Sequence, residues 1–178
     1  MRQLADKVRI DRFMQALAGH ARTDVRLYFT GGSTAVLFGW RASTIDIDIR
    51  FIPERDELFR ALPKLKEELQ INVELASPDE FIPELPGWQD RSVFITRIGK
   101  ISFYHYDPYS QTLSKIERGH SQDRSDVEKM IESGLVERTQ LLAYFEAIEP
   151  DLYRYPAIDP KSFRRAVETV AVYRDDSE

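Results

Sequence analysis

Residues 29–49 read Phe29-Thr-Gly-Gly-Ser-Thr-Ala-Val-Leu-Phe-Gly-Trp-Arg-Ala-Ser-Thr-Ile-Asp-Ile-Asp-Ile49. A β-prone segment, a glycine pair and a short apolar run precede the Asp-Ile-Asp triplet. Alternate residues of a strand share a face, so the triplet predicts adjacent Asp46 and Asp48 side chains with Ile47 turned away. Two adjacent carboxylates repel each other, and a cation between them relieves that repulsion. The stretch therefore predicts a strand, a tight turn, a short helix and an acidic strand.

The glycine pair Gly31-Gly32 and the following Ser33 have two interpretations. Glycine lets a backbone turn approach a ligand closely, and the helix that follows would direct free N–H groups at phosphate. A tight strand-to-helix connection without a ligand explains the same residues. Together with the acidic pair downstream, the first interpretation predicts a pocket for a nucleotide bound with a divalent metal ion.

A third acidic residue lies in the predicted strand Ile71-Asn-Val-Glu-Leu75. If this strand pairs beside that of Asp46, Glu74 completes a three-carboxylate site for Mg²⁺ ions that bridge phosphate oxygens. A solvent-facing strand position is the alternative interpretation of Glu74. Asn72 shares its face and is a lesser candidate.

A second cluster of charged residues spans residues 113–127. Lys115 lies in an apolar helical stripe, from which a lysine reaches a triphosphate as a point charge. Asp123 and Asp126 are three residues apart and share one face at the start of a helix. A capped surface helix, with a lysine whose aliphatic stem alone is buried, is the alternative.

Composition restricts the class of protein. The chain has 178 residues, of which 42% are hydrophobic and 31% charged, as expected of a globular protein with one sizeable core. Its net charge of −5 gives no support for bulk electrostatic binding to nucleic acid, although it leaves room for a local basic patch. Cysteine is absent, which excludes disulfides and thiolate metal sites. Without a membrane-spanning apolar run or a signal-peptide pattern, we expect a cytoplasmic protein and no membrane partner.

The periodicity of apolar residues predicts an α+β (mixed α/β) fold. Strands are expected at residues 25–29, 44–51, 71–75, 93–98 and 101–106, and helices at 3–19, 33–38, 55–70, 109–118, 123–133, 137–147 and 160–172. A proline-rich connector covers residues 77–87. We therefore expect residues 1–107 to form an α/β core and residues 108–178 to form a helical C-terminal region packed on it as one compact unit.

With these residues in place, the chain resembles the nucleotidyltransferase-like proteins of the DNA polymerase β superfamily, in particular the DUF6036 group related to AbiEii-type toxin nucleotidyltransferases. The matching segments are Phe29–Ala35 with Asp46–Asp48, Val73–Pro83, and Lys115–Val127. The resemblance implies a mixed sheet flanked by helices, with Mg²⁺ or Mn²⁺ held by Asp46 and Asp48. It also implies nucleoside triphosphate (NTP) phosphates against Gly32 and Ser33, and Glu74 in the place of the third carboxylate. A downstream lysine and aspartate assist in the AbiEii-like branch; they correspond to Lys115 and Asp126, with Asp123 as the competing choice.

These observations predict a transferase that moves a nucleoside monophosphate from an NTP to a hydroxyl of RNA or protein. The predicted catalytic residues are Asp46, Asp48, Glu74, Lys115 and Asp126, the metal ligands Asp46, Asp48 and Glu74, and the nucleotide-binding residues Gly31, Gly32, Ser33, Lys115 and Asp123. The resemblance further implies the toxin of a toxin–antitoxin pair, with a cognate partner protein. The alternatives are a non-catalytic nucleotidyltransferase-fold antitoxin or partner-binding module, which uses the aromatic and proline-rich stretch 78–109 as its interface, and an α+β scaffold with surface acids.

Overall fold

The fold is α+β, as predicted from the sequence. The computed structural model describes residues 2–172, and its strands and helices alternate in the first part of the chain before a run of helices. The elements in chain order are β1 (Ala5–Asp6), α1 (Lys7–Ala18), β2 (Val25–Thr30), α2 (Gly32–Leu37), β3 (Ser43–Thr44), β4 (Asp46–Ile52), α3 (Asp56–Glu68), β5 (Asn72–Leu75), α4 (Trp88–Arg91), β6 (Val93–Ile98), β7 (Ile101–His105), α5 (Pro108–Arg118), α6 (Ser121–Glu132), α7 (Arg138–Ile148) and α8 (Pro160–Val172). Short 3₁₀ turns cover Pro78–Glu80 and Glu149–Arg154.

Two compact units divide the chain. The first unit contains the residues up to Ser77 together with residues 92–106, and the second unit contains residues 78–91 and the residues from Asp107 onward. The first unit therefore holds the whole sheet, and the second holds helices α4 to α8. Within residues 2–172, no helix combines the length and the apolar character needed to cross a lipid bilayer.

A mixed five-stranded sheet in the order β5-β4-β2-β7-β6 organises the first unit. β2 is antiparallel to β4 and parallel to β7, β4 is parallel to β5, and β6 and β7 form an antiparallel hairpin. A separate two-stranded sheet pairs β1 with β3. The acidic strand β4 thus lies between β2, which leads into the glycine pair, and β5, which carries Glu74.

One face of the five-stranded sheet forms the hydrophobic core with α1 and α3. Alternation sends Ile47, Ile49 and Phe51 of β4 into this core, each at most 3% exposed. The helices contribute further buried residues, including Phe13, Leu17, Leu58, Leu62 and Leu65. Because the odd-numbered residues of β4 are buried, Asp46 and Asp48 lie on the opposite face.

Two details of the predicted elements are wrong. The first helix begins at Lys7 instead of residue 3, because residues 5–6 pair with β3 and the Asp6 side chain caps the helix by accepting from the Arg9 N–H. The strand expected at residues 44–51 begins at Asp46 as β4, because Ile45 before it is 71% exposed and the apolar face of the strand starts at Ile47. Helix α3 continues through Pro63 as one helix.

The proline-rich connector at residues 77–87 is packed against other residues along much of its length. Ile82, Leu85 and Trp88 are at most 4% exposed, and the side chain of Phe81 is the exposed aromatic residue of the segment. Arg91 donates to both carboxylate oxygens of Asp107 at 3.2 and 2.8 Å. Asp107 is fully buried and caps α5 by accepting from the Tyr109 N–H, so this ion pair joins residues 78–91 to the helices of the second unit.

Candidate functional site

The glycine turn connects β2 to α2 and meets the acidic strand. Gly31 has φ +64°, a conformation that L side chains rarely adopt. A Cβ on Gly31 would lie 2.9 Å from Asp48 Oδ2, so the carboxylate of Asp48 packs against the turn. A Cβ on Gly32 would overlap Thr44 Oγ1 and lie 2.7 Å from Thr44 Cβ. Gly31 is therefore required by its backbone conformation and by its contact with Asp48, and Gly32 by its contact with Thr44.

Strand register explains why Asp48 reaches the turn. Asp48 pairs with Thr30 of β2, the residue directly before Gly31, and on its other side with Glu74 of β5. Directly paired residues share a face, so Asp48 and Glu74 lie next to each other on the face opposite the core. Asp46 and Asp48 are half-buried and Glu74 is exposed. The sheet thus brings the three predicted acids and Gly31 together in the first unit.

Asn72 bridges two of these acids. Its Nδ2 donates to Asp46 Oδ1 at 2.5 Å and to Glu74 Oε1 at 3.1 Å. Its Oδ1 accepts from Arg2 Nη1 at 2.5 Å, which fixes the orientation of the amide. Asn72 therefore has a larger part in the site than its sequence position indicated, and no sequence pattern predicts its contact with Arg2.

The donor set fits Mg²⁺ or Mn²⁺, which take oxygen ligands. Among residues 2–172, no three acidic or histidine side chains are close enough to form a ready-made metal site. Between Asp46 and Glu74, the position that a shared cation would take is held by the Asn72 Nδ2 group, which donates to both carboxylates. Magnesium is commonly held by one or two carboxylates together with substrate phosphates, and Asp46 and Asp48 are the two carboxylates that would hold it here.

Ser33 has an environment that differs from the prediction. Its side chain is fully buried at the start of α2, and its hydroxyl has no hydrogen-bond partner among the described residues. In this conformation the Ser33 hydroxyl does not face solvent, so a contact to phosphate would have to come from the backbone of the turn. The predicted role of Ser33 therefore remains a prediction, restricted to its N–H group.

The second predicted cluster forms a buried ion network of its own in the second unit. Lys115 Nζ lies 2.7 Å from Asp126 Oδ2 and 3.6 Å from Asp123 Oδ1, and all three side chains are at most 8% exposed. Arg118 Nη2 contacts Asp123 Oδ1 at 3.0 Å. Two cations thus balance two carboxylates. The role of Lys115 toward a triphosphate stays a prediction, and Asp126 is its closer carboxylate.

A buried histidine supports the glycine turn from the core side. His105 ends β7, is 5% exposed, and its Nδ1 lies 3.0 Å from Oγ1 of Thr34 in α2. Its ring stacks on Phe38 with a centroid distance of 4.2 Å. Burial lowers the pKa of His105 from 6.5 to about 4, because the charged ring would lose its hydration. No role for His105 is evident from the sequence, where its only signal is its position at the end of an apolar strand.

We expect His105 to make stability depend on pH. Its pKa is lower in the folded chain, so the unfolded chain binds more protons between pH 6.5 and 4, and the free energy of unfolding falls as pH drops through this range. The loss is about 3 kcal/mol and is absent above pH 7. Urea unfolding at several pH values measures it, with His105→Gln as the variant and His20→Gln, at an exposed position, as the control. An equal pH dependence in wild type and His105→Gln would contradict this assignment.

Comparison with known proteins assigns the family. The family model described as "Nucleotidyltransferase of unknown function (DUF6036)" matches residues 6–170 of the 178. This range contains the glycine turn, all three acids of the sheet and the ion network of the second unit. Neither the curated proteins nor the solved structures gave a match. The chain belongs to the DUF6036 family of nucleotidyltransferases.

Proposed function

We propose that the protein is a Mg²⁺- or Mn²⁺-dependent nucleotidyltransferase that transfers a nucleoside monophosphate from an NTP to a hydroxyl of RNA or protein. The observation that carries this proposal is the contact of Asp48 with Gly31, in a strand register that sets Glu74 directly beside Asp48. Carboxylates that hold a cation next to a backbone turn without side chains are what a metal-bound triphosphate requires.

The roles follow from position. Asp46 and Asp48 would hold the ion, which supplies charge neutralisation at the phosphates. The backbone of the turn at Gly31 and Gly32 would take the triphosphate, because the Asp48 carboxylate packs directly against Gly31. Glu74 is exposed and adjacent to Asp48, so it would bind a second ion or accept the proton of the acceptor hydroxyl.

The reaction is an in-line displacement at the α-phosphorus. The acceptor oxygen forms a bond to this phosphorus while the bond to the β-phosphate bridging oxygen breaks, pyrophosphate leaves, and the hydroxyl proton passes to a carboxylate or to water. Catalysis then depends on positioning and on charge neutralisation. By its resemblance to AbiEii-type proteins, we further propose that the enzyme acts in the cytoplasm as the toxin of a toxin–antitoxin pair.

Transfer of label tests the proposal. The purified chain is incubated with each α-³²P-labelled NTP, Mg²⁺ or Mn²⁺, and total RNA or total protein. We expect label on an acceptor, and a rate lowered roughly 10² to 10³-fold in Asp48→Asn, as for removal of one group that stabilises transition-state charge. Glu54→Gln removes an exposed charge just after β4 and serves as the control. No transfer and no NTP binding by wild type would end the proposal.

The non-catalytic alternative makes a different prediction. A partner-binding module would show no rise in thermal stability with Mg²⁺ and NTP, whereas the enzyme should show a rise that Asp46→Asn abolishes. In the stretch 78–109 that this alternative uses as its interface, Ile82, Leu85 and Trp88 are buried, whereas Phe81 and Phe94 are exposed.

A further inference from the structure

The sheet face that carries the acids also carries two further rows of side chains in the first unit. Phe94, Tyr104 and Tyr28 pair across β6, β7 and β2. Arg97, Ser102 and Arg26 form the next row across the same strands. Directly paired residues share a face, so each row lies on one side of the sheet. Tyr28 is paired with Arg50 of β4, two residues from Asp48, which places these rows on the side of the acids.

A β-bulge in the edge strand β6 builds this surface. Phe94 and Arg97 are three residues apart, and in a regular strand they would point to opposite faces. The register shifts between Phe94 and Thr96, so that Phe94 pairs with Tyr104 and Arg97 with Ser102. The bulge thus puts an aromatic and a cationic side chain on the same face, where both are exposed.

The aromatic row offers a stacking surface at its outer end. The Phe94 side chain is 57% exposed, and its ring meets Tyr104 edge-to-face with centroids 5.5 Å apart. Tyr104 in turn stacks on the fully buried Tyr28 at 5.3 Å. The exposed ring is therefore held by rings behind it, and it presents its surface to solvent at little cost in side-chain freedom.

Positive charge gathers at the same end of the sheet. The Arg26 guanidinium carbon lies 5.6 Å from the Tyr104 ring centroid, and Arg97 Nη2 binds Asp24 Oδ1 at 2.9 Å. Lys100 Nζ donates to the backbone carbonyl of Arg22 at 2.7 Å, which places a third cation at this end of the sheet. Three cations with Asp24 make a basic region on a chain whose net charge is −5. We name Phe94, Tyr104, Arg26, Arg97 and Lys100 the aromatic–basic patch.

The order of the rows suits a nucleic acid strand. Along β2 the basic row contains Arg26, the aromatic row Tyr28, and the acidic row Thr30, the partner of Asp48. Successive rows are two residues, or about 7 Å, apart. Phosphates at the basic row and bases on the aromatic row would leave the end of the strand directed at the acids.

We propose that the aromatic–basic patch binds single-stranded RNA as the acceptor, an inference that rests on the proposed nucleotidyl transfer. Arginines and an exposed ring supported by further rings are the combination that recognises unpaired bases and their phosphates. Paired bases are unavailable for stacking, so a duplex should bind less tightly. A protein acceptor would have no need of cations spaced along an aromatic row.

Fluorescence anisotropy tests the patch without catalysis. With a labelled single-stranded RNA of about 12 nucleotides at low salt, Phe94→Ser should weaken binding about tenfold, the effect of one lost base stack. Tyr153→Ser, which removes a ring that is 72% exposed in the second unit, should leave binding unchanged. Replacing both Arg26 and Arg97 with glutamine should reduce the steepness of log affinity against log salt concentration by about 1 for each arginine. A duplex of the same sequence should bind more weakly.

The outcomes separate this inference from the proposed function. No RNA binding by wild type, or equal binding by Phe94→Ser and Tyr153→Ser, would overturn the patch, while Mg²⁺-NTP binding and transfer to a protein would still support the enzyme. Tighter binding of single-stranded DNA than of RNA would overturn the choice of acceptor. RNA binding that depends on Phe94, with neither transfer nor NTP binding by wild type, would support the patch and contradict the enzyme.

Discussion

Replacing Gly32 with alanine should abolish the binding of metal and nucleotide and also destabilise the first unit. The new Cβ would overlap Thr44 Oγ1 and lie 2.7 Å from Thr44 Cβ, a separation that real structures do not tolerate. Thr44 belongs to β3, which is paired with β1, and its hydroxyl donates to the Asp46 carbonyl at 3.0 Å. Relief of the clash therefore moves the start of the acidic strand. We expect about 1–3 kcal/mol of lost stability from overpacking.

Gly19→Ala is the matched control for this substitution. Gly19 has φ −65° and its added Cβ would find Ala16 O at 3.5 Å, an ordinary contact, so stability should be unchanged or slightly higher. Adding Thr44→Ala to Gly32→Ala removes the hydroxyl overlap but leaves the 2.7 Å contact to Cβ, so only partial recovery is expected. Urea unfolding and NTP-dependent thermal stability measure both effects. Equal stability and equal NTP binding of Gly32→Ala and Gly19→Ala would contradict the close contact between Gly32 and Thr44.

Replacing Lys115 with methionine should cost about 3–5 kcal/mol of stability, the usual effect of removing one partner from a buried ion pair. The substitution keeps most of the side-chain volume and leaves Asp126, only 4% exposed, without the ammonium group that lies 2.7 Å from it. Asp123 retains its contact with Arg118, so Asp126 should account for most of the loss. Urea unfolding followed by circular dichroism gives the free energy of unfolding.

Two further variants identify the cause of this loss. Lys64→Met removes a lysine that is 69% exposed and lies 3.6 Å from Glu68, and it should change stability by less than about 0.5 kcal/mol. Adding Asp126→Asn to Lys115→Met also removes the carboxylate charge that the Lys115 ammonium group faces, so the double variant should be more stable than the single one. A loss below about 1 kcal/mol for Lys115→Met would mean that water or a shift in structure solvates Asp126.

The local features of the site could be predicted from the sequence. Alternation in the Asp-Ile-Asp triplet gave the correct face for Asp46 and Asp48, because Ile47 and Ile49 have to be buried. The glycine pair gave the turn, since a strand and a helix in immediate succession need a residue such as Gly31 at positive φ. The placement of Glu74 beside Asp48 was predicted only on the condition that β5 pairs with β4, and the two strands are paired in the structure.

Contacts between residues far apart in the chain could not be predicted from the sequence. Arg2 and Asn72 are 70 residues apart, and no periodicity links them. The overlap of a Gly32 side chain with Thr44 depends on the packing of β3 against the turn, which the pattern of residues 29–49 does not specify. The β-bulge between Phe94 and Thr96 lies in a strand without glycine, so no residue type in the sequence indicates it. Such features arise from tertiary packing, which a single sequence does not encode as a local pattern.

We propose that Asp46, Asp48 and the glycine turn together hold a metal-bound NTP. The most direct test is a Mn²⁺ titration followed by electron paramagnetic resonance, with and without a non-hydrolysable NTP analogue. We expect wild type and Glu54→Gln to bind Mn²⁺ more tightly when the analogue is present, and Asp48→Asn to lose at least about tenfold in that affinity. Equal Mn²⁺ binding by wild type and Asp48→Asn in the presence of the analogue would contradict the claim.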